Sequence, residues 1–173
     1  MLAATRKAEA GIQLAGRARG SAPRPADRHP IASAGIRAVR EALMRYRQGA
    51  GSVSRDEAGL LLVCLRDMRV RDDAWSRMED DHRQAHLRLW LDLTSLAPPG
   101  SAAAPASLLA FVAWQSGNGA LARVALDRAL ADDPDYKMAG ILRRLLDRGT
   151  DPSMATPPMT PGQVAEAYGF QVR

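Results

Sequence analysis

From residue 33 onward the apolar positions recur every three or four residues, and no stretch alternates apolar with polar over a strand's length. This spacing predicts helices throughout. Ser33 is placed to cap a first helix with Ile36, Val39, Leu43 and Tyr46 on one face and Gly49 as its stop. Ser54-Arg55-Asp56-Glu57 reads as a capping box, with Val53 and Ala58 spaced as a hydrophobic staple. A helix from Arg55 to about Met68 follows. Its Leu60 to Leu65 block is apolar nearly all round, which predicts the central, most buried helix.

Further helices are predicted over Asp72 to Met78 and Asp81 to Ala97, the latter halted by Pro98-Pro99-Gly100. Pro105 suits the first turn of a helix reaching Ser116, and Gly117-Asn118-Gly119 links it tightly to one over Ala120 to Asp132. Asp133-Pro134 reads as cap and first-turn proline of the next, ending at Gly149. Thr160-Pro161-Gly162-Gln163 opens a last short helix with Val164 and Tyr168. The expectation is an all-α fold, a compact bundle of about six to eight helices.

Pro, Gly and small polar residues crowd Gly20 to Pro30, which divides the chain. Residues 1–32 read as a basic arm or weak helix plus linker, and 33–170 as one helical domain. Charge follows the same division. The net +5 arises in residues 1–55, where eleven Arg and Lys face only Glu9, Asp27 and Glu41. Lysine occurs only at Lys7 and Lys137, so these cations are nearly all arginine. The opening residues lack the apolar core of a secretory signal, and neither Gly59 to Leu65 nor the Pro105-interrupted Ser101 to Trp114 can span a bilayer. A cytoplasmic protein without membrane contact is expected.

Residues 103–136 resemble a single tetratricopeptide repeat. Leu109 and Ala110 match its first helix, Gly117 the turn, Ala122, Leu126 and Ala129 the second helix, and Asp133-Pro134 its end. Ala113 stands where a large aromatic is usual, and a 34-residue shift recovers no second copy. Small side chains at Ala110, Ala122, Ala125 and Ala129 independently favour close antiparallel helices. A wider stretch, from Arg37 to Tyr168, is similar to the C-terminal helical part of an actinobacterial family, domain of unknown function 4192. The strings AVREALMRYRQG, RVRDDAW, AHLRLW and PPMTP carry that likeness. Members typically have a further N-terminal portion, so the resemblance implies a short form or a fragment. It implies architecture and no catalytic residues.

Few constellations suggest chemistry. His82 and His86 share a helix face at zinc-chelating spacing, with Glu79, Asp80 and Asp81 nearby. Arg83 replaces the glutamate of metalloprotease helices, and surface or structural histidines are the favoured reading. The segment from Arg66 to Trp75 interleaves arginines with aspartates. Arg69, Arg71, Asp72 and Trp75 read as a structural polar cluster, with an anion pocket as the alternative. Trp75, Trp90 and Trp114 suit core anchors. Cys64, the single cysteine, suits an inert core thiol and excludes an intrachain disulfide.

No phosphate loop, nucleophile elbow or acid–base dyad is present, and no cofactor is expected. The first functional expectation is therefore a non-enzymatic protein-interaction module. Its partner is another protein, met through Trp114, Gln115, Asn118 and Arg123 near the hairpin turn. The alternative is nucleic-acid association through the arginine-rich residues 1–55, and the third is a metal-dependent hydrolase using His82 and His86.

Overall fold

The computed structural model describes residues 30–78 and 80–169. The expected arm and the linker up to His29 lie outside the described residues. Among the described residues there are eight α-helices, two short 3-10 turns and no strand. The helices are α1 (Pro30–Arg47), α2 (Arg55–Cys64), α3 (Met68–Ser76), α4 (Arg83–Leu96), α5 (Ala103–Gln115), α6 (Gly119–Asp132), α7 (Lys137–Asp147) and α8 (Pro161–Tyr168). The all-α expectation holds.

Several boundaries differ from those expected, each for a local reason. Pro30 opens α1, so Ser33 lies within its first turn rather than at its cap. Proline at the first helical position loses nothing, since its missing N–H would have had no partner there. The predicted helix through Met68 breaks after Cys64. Asp67 accepts the Arg69 backbone N–H at 2.9 Å and so starts α3 four residues before the expected Asp72. Asp133 closes α6, accepting the Asp135 N–H on its side chain, so α7 starts only at Lys137 behind Tyr136. Asn118 caps α6 by accepting the Leu121 N–H.

The Ser54 box forms only in half. Its hydroxyl oxygen accepts the Glu57 N–H at 3.2 Å, but the Glu57 carboxylate turns to Arg45 of α1. At α8 both halves are made, between Thr160 and Gln163.

The core places α5 at the centre, correcting the expectation for α2. Every residue from Ala103 to Trp114 is buried, whereas Leu60 and Val63 of α2 stay half-buried. A helix packed on α4 on one side and on α6 and α7 on the others has no solvent face, and its small side chains permit that crowding. Contact between α5 and α6 is the most extensive in the fold. There Ala110 meets a partner helix carrying Ala122, Ala125 and Ala129, all buried. On its other side α4 contributes Leu89, Trp90 and Leu93, fully buried, and meets α1. Alpha-1 also lies on α3, and α3 meets α8.

Two further features set the geometry. A Cβ on Gly35 of α1 would lie 3.0 Å from the Val70 Cγ2 and 3.1 Å from the Cys64 Cβ, so α1 and α3 are held at glycine distance. The start of α5 has no local cap. Asp132, at the far end of α6, accepts the Gly100 and Ala102 N–H groups at 2.7 Å each and that of Ala103 at 3.1 Å.

Candidate functional site

The densest polar chemistry lies on α3, where Asp72 and Asp73 follow one another. Successive helical residues point about 100° apart. The two carboxylates therefore serve different neighbours. Asp73, with a 3% exposed side chain, accepts Nε (3.0 Å) and Nη2 (2.5 Å) of Arg40 from α1. It also accepts Nε of Arg77 at 3.1 Å. Asp72 accepts both Nε and Nη2 of Arg71 and, at 2.7 Å, the hydroxyl of Tyr168 from α8. Arg71 in turn donates to the Tyr136 hydroxyl at 3.3 Å, with its guanidinium 5.8 Å from that ring's centroid.

The expected polar cluster therefore divides. Arg71 and Asp72 come together, and Arg69 folds back onto the cap, donating from Nε and Nη2 to Asp67. Trp75 points elsewhere, packing edge-on against Phe111 of α5 with centroids 5.5 Å apart. Its indole Nε1 is buried without a hydrogen-bond partner. Arg40, Asp73, Arg77, Tyr136 and Tyr168 were not singled out by spacing. The partners of Arg40, Tyr136 and Tyr168 stand 33, 65 and 96 residues away, beyond any local pattern, whereas Arg77 and Asp73 are a local i,i+4 pair that the sequence reading passed over.

His86 is buried, and its Nδ1 accepts the Trp90 indole N–H at 3.3 Å one helical turn on. A neutral ring accepting there carries its proton on Nε2, which leaves no free lone pair for a metal. Burial pushes its pKa down to about 4, assisted by the positive charges of His82 and Arg47 and opposed by the Arg77 backbone. His82 is half-buried at the end of the 3-10 turn. Glu79 and the side chain of Asp80 lie outside the described residues. Among the described residues no group of three His, Cys, Asp or Glu side chains can hold a metal ion. Burial also pushes the Cys64 thiol up to about 11, with Asp67 adding to the effect, so at neutral pH it is a protonated core side chain.

At the hairpin turn, Trp114 is buried in the core. The Gln115 amide donates to the carbonyl of Pro152 at 2.9 Å and also to that of Ala155, fastening the segment after α7 across the end of α5. Asn118 is exposed and occupied as the α6 cap. Arg123, also exposed, pairs with Asp147 of α7 at 2.8 Å. These four residues are neighbours along the hairpin but do not form one face.

No described helix is long and apolar enough to cross a membrane. A comparison with curated proteins finds no match, and neither does one with solved structures. A family model does match, over residues 2–153, beginning well before the strings from Arg37 and ending ahead of α8. With most of its length covered, including seven of the eight described helices, the chain belongs to the family described as Domain of unknown function (DUF4192).

Proposed function

We propose that this protein is a non-enzymatic interaction module that binds another protein through the outer face of the α5–α6 hairpin. The observation that carries this reading is Val124, an apolar β-branched side chain left 65% exposed on α6 beside Arg123. Nothing in helix formation favours valine at a solvated position, since it is a weaker helix former than the polar alternatives. An exposed apolar residue flanked by arginine has the composition of an interface centre. Among the described residues, the shifted titrating groups Tyr46, Cys64 and His86 are accounted for by the fold itself. Tyr46 is held protonated chiefly by burial and next by its hydrogen bond to Asp92, while Cys64 and His86 lie in the core.

The contact surface in this reading centres on Val124 and Arg123, both exposed on α6. Capture from native lysate tests it, with bound proteins identified by mass spectrometry. Val124→Glu should abolish capture of a specific protein while leaving the melting temperature within about 2 °C of the parent. Arg123→Ala should weaken it. Capture that survives Val124→Glu but is lost on removing residues 1–29, and falls steeply with salt, would refute the hairpin surface in favour of electrostatic association with nucleic acid.

A further inference from the structure

A cleft of about 490 Å³ opens between the α2–α3 junction and the open end of the α5–α6 hairpin, where α5 starts and α6 finishes. Its volume falls within the range of small-molecule sites. The floor is apolar, made of Leu62 and Leu65 with Ala103 and Ala104 from the first turn of α5, all four buried. Met68 stands at the rim, 58% exposed, an unbranched side chain able to fold over an occupant.

Charge is divided across this floor. Arg66 and Arg71 belong to the wall built by the α2–α3 junction, and Asp132 and Asp133 to the wall built by the end of α6. The walls meet at Tyr136, whose hydroxyl accepts from Arg71 Nη1 at 3.3 Å and whose backbone N–H donates to the Asp133 carbonyl at 3.1 Å. Asp132 is committed to the N–H groups of Gly100, Ala102 and Ala103. Asp133 accepts the Asp135 N–H on one oxygen, and its other oxygen accepts no hydrogen bond among the described residues. Opposite, Arg71 spends donors on Asp72 and Tyr136 and keeps one N–H on each Nη nitrogen. Both signs of charge also border the lobe between α1 and α4, at Arg47, Asp81 and Arg88, but no leucine lines it. Opposed charges across a leucine floor set the present cleft apart.

We propose that this cleft binds an apolar α-amino acid as its zwitterion, with the carboxylate on Arg71, the ammonium on Asp133 and the side chain over Leu62 and Leu65. A guanidinium donates charge-assisted hydrogen bonds to a carboxylate, and a carboxylate oxygen accepts them from an ammonium. An anion alone would meet the repulsion of Asp132 and Asp133, and a cation alone that of Arg66 and Arg71. The cleft therefore selects a head group that carries both charges. Its apolar floor selects the side chain, since a branched aliphatic group gains by leaving water there.

The cleft lies at the end of the hairpin away from the Gly117 turn and does not include Val124, so this site and the hairpin surface can fail separately. Isothermal titration of the full chain with L-leucine tests it, against 4-methylpentanoate, which lacks the ammonium, and L-leucinamide, which lacks the carboxylate. L-leucine should saturate and raise the melting temperature, and each analogue should bind about tenfold or more weakly. Asp133→Asn keeps an acceptor for the Asp135 N–H and removes the charge. It should weaken L-leucine about tenfold with circular dichroism unchanged, while binding 4-methylpentanoate no more weakly than the parent does, a split that a merely structural role would not produce. Arg123→Ala, remote from the cleft, should bind L-leucine as the parent does. Absence of saturation by L-leucine up to about 10 mM, a dissociation constant at which little specific binding energy remains, would overturn the proposal. So would L-leucinamide binding as tightly as L-leucine, or parent-like L-leucine affinity in Asp133→Asn. Saturation by a leucine-terminated peptide but not by free L-leucine would overturn it in favour of a chain terminus as the occupant.

Discussion

Removing the Asp132 carboxylate should destabilise the fold from the start of its central helix. Three backbone donors lose their acceptor in Asp132→Ala. That of Gly100 is exposed, and water replaces the lost bond there at little cost. Those of Ala102 and Ala103 are partly buried, and they open a helix that has no other side-chain cap. Loss of a cap costs about 0.5 to 2 kcal/mol, and loss of a negative charge at a helix start about 0.3 to 1 kcal/mol more. The expected change is thus about 2 kcal/mol for Asp132→Ala. Asp132→Asn keeps an acceptor oxygen without the charge, and should cost about half as much. Urea unfolding followed by circular dichroism reads both through the midpoint at constant slope. Hydrogen exchange should accelerate at the Ala102 and Ala103 amides. A loss below about 0.5 kcal/mol in Asp132→Ala would show that α5 is held by burial alone and that the long-range cap is energetically idle.

Two other outcomes follow from buried contacts. Unfolded His86 takes up a proton near pH 6.5, whereas in the fold it resists down to about 4. Its contribution is therefore complete above 6.5 and lost as pH falls toward 4, amounting to about 3 kcal/mol across that interval. Urea midpoints at pH 7, 6 and 5 should fall progressively, and His86→Gln should flatten the trend; an equal fall in both proteins would assign it to other groups. Gly51→Ala should lower the melting temperature, because its new Cβ would stand 2.5 Å from the Tyr46 ring and 2.9 Å from the Tyr46 Cα. A cost of about 1 to 3 kcal/mol is expected from such overpacking, and an unchanged melting temperature would count against the close approach.

Local chemistry was readable in the sequence where both partners lay within one turn and neither had a competing partner. Thr160 and Gln163 cap α8 as their spacing predicts, and Asn118 sits at the start of α6. Ser54 shows how the same logic fails. Its partner Glu57 had a second suitor in Arg45, and an arginine twelve residues away outcompeted the neighbouring N–H. Asp67 read as one more charge in a helix, although an aspartate there caps as readily as it pairs. The centre of the core was misplaced because Leu60 to Leu65 is the more hydrophobic string, while burial of α5 comes from how many helices surround it. Of the polar cluster, only the Arg71–Asp72 link was visible. Asp73 is sealed by Arg40, and Asp72 by Tyr168, across 33 and 96 residues respectively.

Those two adjacent carboxylates also order events in time. Arg40 and Asp73 are both available once α3 has been synthesised, so the N-terminal brace can form while the rest of the chain is still emerging. The Tyr168 hydroxyl arrives only after the intervening helices have been made, and closing a loop of that length is entropically costly before they have docked. Until then Asp72 must rely on Arg71 alone. Helix α8 thus acts as a latch on a helix made much earlier in the chain, and a ribosome-bound chain halted before α8 should hold α3 less firmly than one that includes it.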